Sequence, residues 1–72
     1  MPRRTTIDLE QALPLLRFER SKERRVEVTM ALERAVVSGI PIVLEESSFS
    51  DPGKDYSALY AGSEQVLYIA GY

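Results

Sequence analysis

A small α+β domain is predicted by three features of this 72-residue chain: apolar residues at helical spacing in the first half, β-branched and alternating apolar runs in the second, and a globular composition. Apolar residues make up 44% of the chain and charged residues 28%, a balance that argues against a disordered tail, a collagen-like repeat or a membrane span. The reading is a single domain over residues 1–72. A domain this short buries only about 60% of the surface its unfolded chain exposes, so a second copy or another partner is expected to supplement its core.

The elements follow in chain order. Thr5 followed by Asp8 resembles a capping box, and Ile7, Leu9, Ala12, Leu13 and Leu16 recur at roughly helical spacing, which predicts a first helix over about 7–13. Pro14 ends or kinks it, or opens a second helical segment, because proline lacks the amide that an interior turn needs. Residues 16–30 admit two readings. In one, Ser21 caps a long helix over 21–38, with Val28, Ala31, Leu32, Ala35 and Val36 on one stripe. In the other, the alternation of Leu16 and Phe18, and of Val26, Val28 and Met30, forms a hairpin around Arg20–Glu23. The long helix is favoured, since Lys, Glu and Arg are good helix formers and the proposed turn has neither Gly nor Asn.

Gly39 is placed to end that helix in the left-handed conformation. Ile40, Ile42, Val43 and Leu44 then predict a strand over 40–46, with Pro41 tolerated near its start. Pro52 and Gly53 occupy the central positions of a turn, and Asp55 is read as the cap of a short helix over 55–61 closed by Gly62. The run Gln65–Gly71 predicts a C-terminal strand, with Val66, Tyr68 and Ala70 on one face and Leu67 and Ile69 on the other. Two strands alone are marginal in water and leave open edges, so pairing across a homodimer or onto a partner is expected.

Chemistry is constrained by what is missing. The chain has neither Cys nor His, which removes disulfides, thiolate and imidazole metal ligands and the commonest catalytic base. Glu45 and Glu46, adjacent in a strand, point to opposite faces and are read as solubilising charges. Asp51–Asp55 resembles the start of a calcium loop, but Gly53 and Gly62 fall where carboxylates belong. Gly53-Lys54 lacks the rest of a phosphate-binding loop, and Ser50 and Ser57 near Lys54 are read as turn and cap serines. No catalytic residue, metal ligand or cofactor is therefore expected.

Charge is distributed unevenly despite a net −2. Residues 1–36 hold eight basic and six acidic side chains, while residues 37–72 hold only Lys54 against five carboxylates. Arg3-Arg4 is not followed by the apolar stretch of a secretion signal, since Asp8 and Glu10 interrupt it, and a cytoplasmic protein without membrane attachment is expected.

Two functions of different class follow from these observations. The first is a non-enzymatic protein-interaction module, a small inhibitor or adaptor of phage or mobile-element type, binding through Phe49, Tyr56 and Tyr72, because tyrosine supplies large contact area with a polar end. For Tyr60 and Tyr68 a place in the core is at least as well supported as one in an interface, since a domain this small needs some of its tyrosines inside. The alternative is a nucleic-acid-binding or antitoxin-like regulator using Arg17, Arg20, Lys22, Arg24 and Arg25, with Arg17, Arg20 and Arg24 along one helix side.

Overall fold

A computed structural model of the chain describes residues 3–47 and 56–70. The α+β expectation holds: helices pack on one face of a four-stranded antiparallel sheet. In chain order the elements are strand β1 (Arg3–Ile7), helix α1 (Leu9–Ala12) running into a 3₁₀ segment (Leu13–Phe18), helix α2 (Lys22–Val37), and strands β2 (Ile42–Ser47), β3 (Tyr56–Ala61) and β4 (Glu64–Ala70). The sheet order is β1-β2-β3-β4, so each strand lies beside its neighbour in sequence.

The first helical stretch is shorter and later than the predicted 7–13. Asp8, not Thr5, precedes it, and the Gln11 side chain reaches back to accept from the Asp8 amide at 3.0 Å. Residues 3–7 form a strand, β1. The Arg3–Ile7 run, with consecutive Thr5, Thr6 and Ile7, carries the β-branched residues that fit a pleated surface. Pro14 falls at the start of the 3₁₀ segment, where a missing amide costs no intrahelical bond.

The long helix prevails over the hairpin. Ser21 caps α2 by accepting from the Arg24 amide at 3.2 Å. At the other end Ile40 donates to the Ala35 carbonyl at 2.8 Å and Gly39 to that of Val36 at 3.1 Å, a Schellman closure that requires the left-handed φ of +73° at Gly39. Val28, Leu32 and Ala35 face the sheet.

The predicted helix over 55–61 is corrected: residues 56–61 are a strand. Ala58, Leu59 and Ala61 favour helix by propensity, but pairing with β2 on one side and β4 on the other overrides that preference. Gly62 closes a two-residue hairpin between Ala61 and Glu64, with φ +65° at Gly62 and no positive φ at Ser63, the sign pattern of a type II′ turn. The Asp51–Lys54 turn lies outside the described residues.

The core lies between the layers: Ala12, Leu16, Val28 and Leu32 from the helices against Ile42, Leu59, Leu67 and Ile69 from the sheet. The alternation predicted for β4 is interrupted by a bulge opposite Leu59/Tyr60, so Val66 and Leu67 are both buried in succession. The Arg24 guanidinium donates to the Val66 carbonyl at 2.9 Å, tying α2 to this irregular point.

Candidate functional site

Strand alternation divides the sheet side chains into two sets. Ile42, Leu44 and Glu46 of β2 share the helix-facing side with Leu59 and Leu67, whereas Arg4, Glu45, Ala58 and Tyr68 form one cross-strand row on the opposite side. Tyr56 and Tyr60, two residues either side of Ala58, project from that same face. No described helix covers it. The face is a shallow aromatic surface organised around one buried carboxylate.

Glu45 is only 6% exposed. Its carboxylate accepts from Arg4 Nε at 2.6 Å and from the Tyr56 hydroxyl at 3.4 Å. The hydrogen bond to Glu45, and then its negative charge, push the Arg4 guanidinium above its ordinary value, against a small opposing effect of desolvation. The same guanidinium lies 5.5 Å from the Tyr60 ring centroid, a cation–π distance. Tyr56 and Tyr68 stack with centroids 5.6 Å apart and planes 25° apart. Each aromatic ring is thereby held by a neighbour while Tyr68 stays 55% exposed. Ser47, on this face beside Tyr56, is buried, and its Oγ has no hydrogen-bond partner among the described residues.

Of the sequence-predicted contact residues, Tyr56 lies on this face at the start of β3, and Phe49 and Tyr72 lie outside the described residues. Of the core and interface positions open to Tyr68, it takes the exposed one: its side chain projects from the face away from the helices because β4 buries Leu67 and Ile69 instead. Tyr60 is half-buried on that face. The solubilising role read for Glu45 is also corrected, since a buried, paired carboxylate is part of the architecture. Glu46 does point to the other face, with Arg3 4.0 Å away. Arg4 and Glu45 were legible as a pair only once β1 was known to be a strand in register with β2; the β-branched run Thr5, Thr6 and Ile7 was the available signal.

The basic segment does not form one helical row. Arg17 belongs to the 3₁₀ segment and Arg20 to the connection before α2, so the predicted stripe Arg17, Arg20, Arg24 is broken at the helix start. Arg24 pairs with Glu27 at 3.1 Å as well as with β4, and Arg25 donates to the Glu19 carbonyl at 2.8 Å. Arg17 lies over the Phe18 ring at 4.8 Å. Arg20 and Lys22 are exposed and form no ion pair among the described residues.

The surface offers phenol hydroxyls, one fixed guanidinium and ring faces, which suit recognition by contact. Among the described residues no group of three or more carboxylates is placed to hold a metal ion, and no helix is long and apolar enough to cross a membrane. Comparison with known proteins finds no matching family, no similar curated protein and no similar solved structure.

Proposed function

We propose that the protein acts without catalysis, as a small inhibitor or adaptor that docks on a protein partner through the open face of its sheet. The observation that carries this reading is the grouping of Tyr56, Tyr60 and Tyr68 on one face that no described helix covers, held in place by stacking and by the Arg4–Glu45 pair. Rings fixed before binding lose little conformational freedom on contact, and tyrosine is a preferred anchor of protein interfaces. Action in the cytoplasm, and an origin in a phage or mobile element, belong to the same proposal.

Affinity capture with the wild-type protein, followed by titration of the captured protein against purified variants, tests this. Tyr68→Ala is expected to weaken binding at least about tenfold, as truncation of an interface anchor does, while Glu10→Ala on the helix layer leaves it unchanged. Phe49→Ala and Tyr72→Ala enter the same assay. A partner that binds Tyr60→Ala and Tyr68→Ala as tightly as wild type removes the sheet face from the interface.

The nucleic-acid reading draws less support from the geometry, because Arg24 and Arg25 are committed to contacts within the fold. It predicts binding that falls steeply between about 50 and 200 mM salt. Salt-insensitive binding, or none, dismisses it.

A further inference from the structure

Helix α2 has a second apolar stripe that the core does not use. At 100° per residue, Val26, Met30 and Val37 lie on the side opposite Val28, Leu32 and Ala35, and they are 59%, 51% and 89% exposed. Lys22 and Glu33 flank the stripe on one side, Glu23 and Arg34 on the other. All four are exposed, and none forms an ion pair among the described residues. Glu27, which also lies on the second flank, is already engaged by Arg24.

The order of these charges is specific. Each flank carries opposite charges eleven residues apart, roughly 16 Å along the axis, too far to pair within one helix. The midpoint of Lys22 and Glu33, that of Glu23 and Arg34, and that of Val26 and Met30 all fall within half a residue of Val28. In an antiparallel helix pair each flank meets the same flank of the other helix. A twofold axis at the level of Val28 therefore sets Lys22 against the second copy's Glu33, Glu23 against its Arg34, and Val26 against its Met30. Symmetry doubles each contact. A parallel pair would instead set Lys22 against the second copy's Glu23 and Glu33 against its Arg34 with the helix dipoles side by side in the same sense, and exchanging Glu23 and Arg34 would make both of those contacts repulsive, so the charge swap separates the two orientations.

We infer that α2 is a self-association surface, and that its occupant is α2 of a second copy of this chain running antiparallel. The open face of the sheet lies on the far side of the molecule, so this contact is independent of partner docking there. A seam between two 16-residue helices is smaller than the roughly 800 Å² per partner of a standard interface, so the dimer is expected to be weak, with dissociation in the micromolar range.

Sedimentation velocity from about 5 to 500 µM reads the equilibrium directly. Wild type is expected to pass from monomer to dimer across that range. Met30→Glu and Glu23→Arg should each raise the dissociation constant at least about tenfold, and Glu23→Arg combined with Arg34→Glu should restore it, because the swapped charges are again complementary across the axis. Circular dichroism confirms that each variant keeps its helix, and Tyr68→Ala should dimerise as wild type does. A monomer throughout the range, a dimer indifferent to Glu23→Arg, or a double variant no better than the single one each overturns the inference.

Discussion

Arg3 and Arg4 are neighbours in sequence with opposite consequences, because one residue of strand moves a side chain to the other face of the sheet. Arg3 reaches Glu46 at 4.0 Å in an exposed pair, which solvent largely screens. Arg4 holds the carboxylate of buried Glu45 at 2.6 Å, and removing it leaves a desolvated charge with, among the described residues, the long bond from Tyr56 alone. Arg4→Ala is thus expected to lower the melting temperature clearly more than Arg3→Ala, as read by calorimetry at neutral pH. Equal effects would mean that Glu45 is stabilised by something other than this guanidinium. None of this was visible from the glutamates alone: two adjacent carboxylates after an apolar run look like a solvated strand end, and only the register with β1 distinguishes them.

Among the elements, α2 was the most legible, because its signals agree: a serine cap, good helix formers, a core stripe at helical spacing and a glycine at the end. Its dual character follows from the same residues. Leu32 is fully buried against the sheet, whereas Val36 is half-exposed. Leu32→Ala should cost about 2–5 kcal/mol of unfolding free energy, and Val36→Ala no more than about 0.5 kcal/mol, by urea denaturation. A small loss at Leu32 would place the core elsewhere. β3 was illegible for a physical reason: Tyr56–Ala61 is a short run rich in helix formers, and its strand form depends on partners far away in sequence. β1 was hidden by the apolar periodicity that begins at Ile7 and invites extension of the helix backwards. The β4 alternation was read correctly for Leu67, Tyr68 and Ile69 and failed at Val66, where the bulge adds a residue.

At the scale of the whole molecule, two layers give the protein two unlike exteriors, ring faces and a fixed ion pair beneath the sheet and a charged apolar stripe above the helices. The meander also ranks its strands. β2 and β3 are bonded on both sides, β1 and β4 on one. Backbone amides of β2 and β3 should therefore exchange with deuterium most slowly, along with those of α2, and the outward amides of β1 and β4 fastest. Uniform protection across the four strands would mean that the outer two are covered in solution.

The route from β1 to β2 carries a consequence for biosynthesis. Strand β1 has its hydrogen-bonding neighbour more than thirty residues downstream, past all the described helical turns, whereas β3 and β4 are joined by two residues. Closing the long loop is the slower event, so the hairpin zips early and β1, though translated before the other three strands, is the last to be stitched in.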